Sequence, residues 1–278
     1  MESQQSWEKY TRGKVMKVIS VVNHKGGVGK TTITVNLGAE LADRGNKVLL
    51  IDFDSQGNLT KATGVTVRKE HGRAYSVAEA LRAIIDEEPV DPKLYIYQSD
   101  ISENLEVVPC HIGMAETKIA LNLVMARERI LKIFIDQIAA IKDYDYILID
   151  NAPSIEVDFQ NSLVASTDVL IVTEADEFST DGMESLMRQL LKIREYFNPD
   201  LKVAGVLINK ADRRTNICRD MIDVIRTIFG QLNVFETVIP SSVKMKESQS
   251  MKVSIMTYDR NNAVAKAVSS FTDEFVSE

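Results

Sequence analysis

The clearest indication of the fold lies in residues 25–32, which read Lys25-Gly26-Gly27-Val28-Gly29-Lys30-Thr31-Thr32. This segment follows the apolar run 18–22 and precedes an amphipathic segment, 31–44, that predicts a helix. A glycine-rich turn between a strand and a helix points backbone N–H groups at a phosphate, and the helix N-terminus adds a positive dipole end. Lys30 can reach the outer phosphates of a nucleotide, and the hydroxyl of Thr31 can bind Mg²⁺. Residues 25–32 therefore predict a nucleotide-phosphate site.

The loop departs from the strict phosphate-loop pattern at its beginning. That pattern has glycine six positions before the lysine, where this chain has His24, and a second lysine, Lys25, follows. Lys25 can be a solvated side chain beside the phosphates, or it can stabilise transition-state charge as an arginine finger does. A lysine at the outer edge of its own loop is poorly placed for its own γ-phosphate but could point at a nucleotide held by a facing subunit.

Length and composition fit an ordinary globular protein. The chain has 278 residues, of which 45% are hydrophobic and 26% charged, with a net charge of −7. This balance argues against a protein coated in positive charge but not against a local basic patch. Cys110 and Cys218 make no disulfide framework, no apolar run is long enough to cross a membrane, and residues 1–17 do not read as a secretory signal. We therefore expect a cytoplasmic protein.

Short apolar runs alternate with longer amphipathic ones along the chain. The apolar runs are mostly continuous, as in strands buried on both faces of a sheet. The alternation predicts an α/β fold with a mostly parallel central sheet and helices on both faces. Predicted strands are 18–22, 48–52, 105–109, 146–150, 169–173, 203–209 and 234–239, and predicted helices are 31–44, 76–86, 114–141, 159–166, 180–196, 216–229 and 261–276. We expect one domain over 15–278, an arm at 1–14 that is loosely attached, and an exposed loop at 65–75.

Acidic residues follow two of the predicted strands. Asp52 and Asp54 come after the apolar run 48–51, and Asp150 ends the run that begins at Tyr146. In an open parallel sheet, ligands bind beyond the carboxyl ends of the strands. An acid at such an end, paired with a phosphate loop, usually holds magnesium, often through water. Each acid alone could equally be a solvated strand end, but together with residues 25–32 they predict a magnesium–nucleotide site.

These segments resemble the ParA/Soj branch of the MinD-type deviant-Walker ATPases, and the resemblance covers nearly everything from Lys17 to Phe275. The segments that carry it are 23–32, 50–58, 144–150, 212–216 and 235–240. Several blocks in this order make the resemblance specific, whereas a phosphate loop alone would not. It implies a P-loop NTPase fold and an ATPase that turns over slowly and is stimulated by a partner and by DNA, with ATP and Mg²⁺ as ligands.

The resemblance also implies individual roles in the site. Lys30 contacts the β- and γ-phosphates, Lys25 crosses an ATP-sandwich dimer, and Asp54 orients the attacking water; these are the implied catalytic residues. The residues implied to bind ATP are Lys25, Gly26, Gly27, Val28, Gly29, Lys30, Thr31, Thr32, Asn209 and Pro240, of which the last two flank the base. The residues implied at magnesium are Thr31 directly and Asp52 and Asp150 through water.

Three kinds of partner follow from the resemblance: a second copy of the chain in an ATP-dependent homodimer, non-specific double-stranded DNA, and a ParB-like centromere-binding protein. Arg214 and Lys244 fall where related proteins contact DNA. The whole predicted DNA surface comprises Arg213, Arg214, Arg219, Lys244 and Lys246, although from composition alone these are ordinary surface charges. Such binding is directed at phosphates, indifferent to sequence and strongly weakened by salt.

The resulting hypothesis is a DNA-partitioning ATPase whose cargo is a plasmid, a mobile element or a chromosome origin, and which associates with the nucleoid in its ATP state. One alternative is a nucleotide-gated protein-interaction switch that positions a cargo or regulates replication initiation. Another is a membrane-associated division regulator like MinD. The C-terminal segment 261–278 disfavours membrane binding because Lys266 is its only basic residue, and we expect this segment to pack in the core.

Departures from the family pattern leave two further points open. Ser55 stands where proline is usual, and residues 151–154 replace a segment of Cys or Thr followed by two prolines. These changes could make the loop after Asp54 less rigid and alter the coupling between magnesium and the dimer interface. Residues 209–212 also match the guanine-reading motif of related GTPases, so the choice between ATP and GTP stays open from this motif alone.

Overall fold

Parallel β-strands form the centre of the computed structural model, which describes residues 16–175 and 180–277, the side chains of 180–184 excepted. The strands are β1 (Lys17–Val22), β2 (Val48–Phe53), β3 (Lys69–Glu70), β4 (Arg73–Ala74), β5 (Tyr97–Gln98), β6 (Leu105–Val108), β7 (Tyr146–Asn151), β8 (Asp168–Glu174), β9 (Lys202–Ala211) and β10 (Val234–Pro240). Eight of them form one sheet in the order β10-β9-β8-β1-β7-β2-β6-β5, and β3 pairs with β4 in a separate hairpin. Every pairing in the main sheet is parallel except that of β5 with β6 at the edge.

Helices cover both faces of the sheet. They are α1 (Lys30–Asp43), α2 (Asn58–Ala62), α3 (Val77–Ile85), α4 (Met114–Leu121), α5 (Ile130–Ala139), α6 (Val157–Ala165), α7 (Thr180–Tyr196), α8 (Asn216–Ile228), α9 (Val243–Ser250), α10 (Ile255–Asp259) and α11 (Ala263–Ser277). Successive strand residues face opposite sides, so Leu50 packs in the cluster that includes α1 and α11, while Leu49 and Ile51 pack with α3 and α5. A third cluster lies between the sheet and α6, α7 and α8.

The predicted fold class is confirmed, since the domain is α/β with a mostly parallel sheet flanked by helices. Each predicted strand overlaps an observed one, because a strand buried on both faces is a continuous apolar run that can be recognised without tertiary information. The predicted arm at 1–14 lies outside the described residues.

The prediction of one helix over 114–141 is wrong. The chain forms α4, a 3₁₀ turn at Arg127–Arg129 and then α5, with Ala126 in the left-handed region at φ 52°. In a continuous helix the N–H of Leu131 would bond to the carbonyl of Arg127. Instead the side chain of Asn161 on α6 takes both groups, accepting from Leu131 N at 3.0 Å and donating to the carbonyl of Arg127 at 2.7 Å. A side chain from another helix thus replaces the helical hydrogen bond and fixes the break.

The predicted loop at 65–75 contains the short hairpin β3–β4, in which Lys69 and Glu70 are exposed and only Ala74 is buried. The short helices α2, α9 and α10 were not predicted. They are too short for the 3.6-residue periodicity of an amphipathic helix to stand out.

The C-terminal segment packs in the core, as expected from its sequence. Phe271 of α11 is buried and meets Phe235 of β10 edge to face, with ring centroids 4.9 Å apart. Phe275 belongs to the same cluster and contacts Phe271. Over the described residues, no helix combines the length and the apolar character needed to span a bilayer.

Gly38 sets how closely α1 approaches the sheet, and its substitution tests this packing. A Cβ at this position would lie 2.7 Å from Cδ2 of Leu50 and 3.5 Å from Cδ1 of Leu148. We expect Gly38→Leu to lower the free energy of unfolding by about 1–3 kcal/mol, because the added atoms overpack the core. Gly38→Ala is the control: it displaces only the end of Leu50 and gains about 1 kcal/mol of helix propensity. Urea denaturation measures both, and an unchanged midpoint for Gly38→Leu would contradict this packing.

Candidate functional site

A cleft of about 1020 Å³ opens at the carboxyl edge of the sheet. The loops that follow β1, β2, β7, β9 and β10 converge there, because parallel strands all end at the same edge. Of the residues predicted for the nucleotide site, those that line the cleft are Gly26, Gly27, Gly29, Lys30, Thr31, Thr32, Asp54, Asn209 and Pro240. The fold therefore brings together segments that lie far apart in the sequence.

Residues 25–32 form a loop that only glycine permits at its tightest point. Gly29 precedes α1 with φ 93°, and a Cβ there would collide with the side-chain amide of Asn209. That amide donates a hydrogen bond of 2.8 Å to the carbonyl of Val28. The strand end at β9 thus supports the loop from outside, and the loop keeps its N–H groups near the first turn of α1 for a phosphate.

Two lysines lie in the loop in different settings. Lys30 is buried, and its Nζ donates to the carbonyls of Asn23 at 2.9 Å and Lys25 at 3.3 Å. Burial lowers the pKa of Lys30, and the carboxylates of Asp150 and Asp54 oppose this shift. The side chain of Lys25, by contrast, is 51% exposed and its Nζ lies 3.9 Å from the carboxylate of Glu174 at the end of β8. Lys30 is therefore the inner charge of the loop and Lys25 the outer one.

Asp150 and Thr31 meet directly beneath the phosphate loop. Thr31 Oγ1 donates to Asp150 Oδ2 at 2.6 Å, while Asp150 Oδ1 has no hydrogen-bond partner among the described residues. Asp150 is fully buried, and burial raises its pKa to about 8, with the nearby charge of Asp52 adding to the shift. A buried anion with an open oxygen is unfavourable unless a cation is close. Hydroxyl and carboxylate oxygens are magnesium ligands, so this pair fits Mg²⁺.

The acids that follow β2 have different surroundings. Asp54 lines the cleft, and its Oδ1 accepts the N–H of Gln56 at 3.0 Å. Asp52 is fully buried outside the described lining of the cleft, and its carboxylate is hydrogen-bonded to Asp54 N and to Thr60. Its predicted place near magnesium stays a prediction, because the contacts found are with the protein itself.

Gln249 is a site residue that the sequence analysis missed. Its Nε2, in the last turn of α9, donates to Thr32 Oγ1 at 2.7 Å. Further along α1, Asn36 Oδ1 accepts the N–H of Ile255 at the start of α10. These contacts join the phosphate-loop helix to residues more than 200 positions away in the chain, so no sequence motif marks them.

Asp212, the acid of the guanine-like motif, is engaged by Arg214. Arg214 Nε and Nη2 donate to the two carboxylate oxygens at 2.7 Å each, and these hydrogen bonds lower the pKa of Asp212 to about 2. Asp212 is not among the described residues that line the cleft, whereas Asn209 and Lys210 are. The carboxylate that would read guanine is therefore turned to Arg214.

The predicted DNA-contacting residues form two exposed groups at the same edge of the sheet. Arg213, Arg214 and Arg219 lie between the end of β9 and the first turns of α8, and Arg219 Nε donates to the carbonyl of Arg213. Lys244 and Lys246 lie on α9, after β10, where Lys244 pairs with Asp259 and Lys246 reaches the nucleotide cleft. Strands β9 and β10 are neighbours, so the two groups follow adjacent strand ends.

Comparisons with known proteins extend this picture to nearly the whole chain. A family model described as "AAA domain" matches residues 16–203. The sporulation initiation inhibitor protein Soj of Bacillus subtilis is 35% identical over 87% of this chain and 91% of its own, and the chromosome partitioning protein ParA of Caulobacter vibrioides is 31% identical over 94% of both.

A similar solved structure is that of cobyrinic acid a,c-diamide synthase from Mycobacterium smegmatis with bound ATP analog and magnesium, with a TM-score of 0.79, 30% identity and 93% of each chain covered. Similarity of this extent reaches far beyond the phosphate loop, into α8 and the segments that follow β10. The chain belongs to the ParA/Soj family of P-loop ATPases.

Proposed function

We propose that this ATPase segregates DNA: ATP closes a dimer, the dimer binds DNA without regard to sequence, and hydrolysis releases it. The observation that carries the proposal is the hydrogen bond between Gln249 and Thr32, because it connects helix α9, with Lys244 and Lys246, to the phosphate loop. A change at the phosphates can therefore reach a basic surface through one direct contact. The names of relatives, chromosome partitioning proteins among them, support the same function.

ATP and Mg²⁺ are the ligands we propose for the cleft, as in the solved relative with an ATP analog and magnesium. Lys30 would contact the β- and γ-phosphates, and Thr32 the α-phosphate. Thr31 and, through water, Asp150 would hold the Mg²⁺, which when bound neutralises charge on the phosphate oxygens. Asn209 and Pro240 would flank the adenine. The position of Asp212 outside the described lining of the cleft favours ATP over GTP.

Hydrolysis in the proposed dimer needs an oriented water and a positive charge at the γ-phosphate. Asp54 lines the cleft beside the phosphate loop, where its carboxylate can accept a hydrogen bond from the attacking water. Lys25 is at the outer edge of the loop, where it can reach the nucleotide of a facing subunit. Its charge would stabilise the transition state from across the interface.

The DNA surface we propose comprises Arg213, Arg214, Arg219, Lys244 and Lys246. All of these side chains are exposed, although Arg214 and Lys244 each pair with an acid in this structure. Exposed ion pairs of this kind contribute little to stability, so DNA phosphates can replace the acids at small cost. The surface would serve a plasmid, mobile element or chromosome origin bound by a ParB-like partner that stimulates hydrolysis, with the ATP state on the nucleoid.

Two substitutions separate nucleotide binding from hydrolysis. We expect Lys30→Ala to abolish ATP binding, because it removes the inner charge of the phosphate loop. Asp54→Ala should bind ATP normally but hydrolyse it ~10²-fold or more slowly, because the water loses its orienting base. Fluorescent-nucleotide titration measures binding, and phosphate release measures turnover. Asp54→Ala with wild-type turnover would contradict the role given to Asp54.

A titration of random-sequence duplex DNA by fluorescence anisotropy tests the proposed surface. We expect binding with a slowly hydrolysed ATP analogue and Mg²⁺, but not with ADP or without nucleotide. Arg214→Ala should weaken the binding and reduce its salt slope by about 1, since one phosphate contact is lost. Lys132→Ala is the control, because Lys132 is an exposed, ion-paired lysine on α5, away from this surface.

The same titration distinguishes DNA partition from a nucleotide-gated protein-interaction switch. Absence of DNA binding in every nucleotide state would contradict the partition function and favour a nucleotide-gated protein-interaction switch. Binding that is equal with ADP and with the ATP analogue would contradict the gating. Stimulation of hydrolysis by a cognate DNA-bound partner is expected only of the partition system.

A further inference from the structure

We infer that Asp52 and Thr60 form a clamp that positions Asp54 for ATP hydrolysis, an inference that rests on the proposed role of Asp54. The clamp spans the loop between β2 and α2. Its parts are the carboxylate of Asp52 at the end of β2 and the hydroxyl and N–H of Thr60 in α2. Neither residue touches the nucleotide cleft, so both act through Asp54 and are positioning residues.

The carboxylate of Asp52 holds both ends of this loop. Its Oδ1 accepts the N–H of Asp54 at 3.2 Å, immediately after the strand. Its Oδ2 accepts from Thr60 twice, from the N–H at 2.8 Å and from Oγ1 at 2.6 Å. One fully buried side chain therefore fixes the residue that begins the loop and the helix that ends it.

Helix α2 needs an acceptor from elsewhere for its first turn. Gly57 occupies its N-cap position in the left-handed conformation, and no side chain of the helix caps it locally. The N–H groups of a first helical turn have no partner within the helix. Asp52 supplies one from the preceding strand, so the contact with Thr60 N does the work of a cap.

Thr60 extends the clamp to the neighbouring strand. Its Oγ1, while donating to Asp52, accepts the N–H of Cys110 at 2.9 Å, just beyond the end of β6. A Cβ on Gly57 would lie 3.0 Å from the carbonyl of Cys110, so the loop is pressed closely against this strand end. The Thr60 hydroxyl thus connects the ends of β2 and β6 with the loop that leads from β2 to α2.

Asp54 is presented by this loop at a defined place. Its carbonyl accepts the N–H of Gly57 at 2.9 Å, which closes a tight turn, and its Oδ1 accepts the N–H of Gln56. The other carboxylate oxygen of Asp54, which lines the cleft, accepts no hydrogen bond from the described part of the chain. Ser55, the residue inside this turn, has no ring to fix its backbone as proline does, so hydrogen bonds must hold the conformation. The clamp supplies these hydrogen bonds at both ends of the loop, at Asp54 and at Thr60.

The three acids near the phosphate loop therefore have different surroundings and suit different roles. Asp150 has an oxygen without a described partner beside Thr31, which suits a cation. Asp54 faces the cleft. Asp52 has both oxygens engaged by Asp54 and Thr60, which suits a structural anchor of the loop.

Removal of the Thr60 hydroxyl tests the clamp. Thr60→Val keeps the shape and the N–H of the residue but cannot donate to Asp52 or accept from Cys110. We expect kcat for ATP hydrolysis to fall about tenfold to hundredfold, because small displacements of a catalytic group have effects of this size. The dissociation constant of a slowly hydrolysed ATP analogue should stay within about twofold, since the phosphate loop is unchanged. Thr60→Ser, which restores the hydroxyl, should return kcat to near the wild-type value.

Thr63→Val is the matched control. Thr63 is buried at the end of the same helix, but among the described residues its hydroxyl donates to the carbonyls of Leu59 and Thr60 alone. Its loss removes a buried threonine hydroxyl from the same helix end while leaving the contacts of Asp52 intact, so kcat should be unchanged. If Thr60→Val does not fold, Thr60→Ala is assayed in its place.

The outcomes are distinct. A folded Thr60→Val or Thr60→Ala variant with wild-type kcat would overturn the inference, as would a loss of kcat that is equal in Thr63→Val. Lost affinity for the analogue would also overturn it, because the clamp would then serve binding. Asp54→Ala is run alongside: if it alone is inactive, the clamp fails while the role of Asp54 stands, and if it is fully active, the proposed role of Asp54 fails.

Discussion

A hydrogen bond from Thr31 to the buried carboxylate of Asp150 joins the first turn of α1 to the end of β7. Burial raises the pKa of Asp150 to about 8, so its charged form is unfavourable until a cation is near. The strand that carries it lies between β1, which leads into the phosphate loop, and β2, which leads to Asp54. The central strands thus bring the phosphate site, the cation site and the acid proposed to orient water together at one edge.

Local patterns made much of this arrangement predictable. The phosphate loop is contiguous, and the buried strands are continuous apolar runs, so both could be recognised from neighbouring residues alone. The break between α4 and α5 could not, because it depends on Asn161 replacing a helical hydrogen bond from a distant position. The hydrogen-bond partners of Asp52 could not be predicted either, because the sequence places an acid at a strand end but does not give the direction of its carboxylate. Gln249 had no signal at all, since Thr32 lies more than 200 residues before it.

Contacts at the carboxyl edge of the sheet also connect the phosphate loop with helices that come much later in the chain. Helix α9 is tied to the phosphate-loop helix by Gln249, and α10 by the contact between Asn36 and Ile255. The hydroxyl of Thr32 accepts from Gln249 and can still donate its own proton to a phosphate oxygen. In the function we propose, this shared hydroxyl links the α-phosphate to the helix that carries Lys244 and Lys246. In the function we propose, the nucleotide need not reshape the whole domain, because direct contacts of Gln249 with Thr32 and of Met245 with Asn36 join the two helices.

The proposed dimer places a different requirement on Lys25, because its side chain must point away from its own subunit and towards the nucleotide of the facing one. The Nζ of Lys25 lies 3.9 Å from the carboxylate of Glu174, but the same carboxylate lies 2.8 Å from Lys210 Nζ. If Lys25 turns towards a facing nucleotide, Glu174 keeps Lys210 and is not left as an unpaired charge. The pair of Lys25 and Glu174 is long, so the closer pair with Lys210 is the one that holds this carboxylate. Two lysines beside one acid therefore allow the proposed dimer to use Lys25 across the interface while the charge of Glu174 stays compensated.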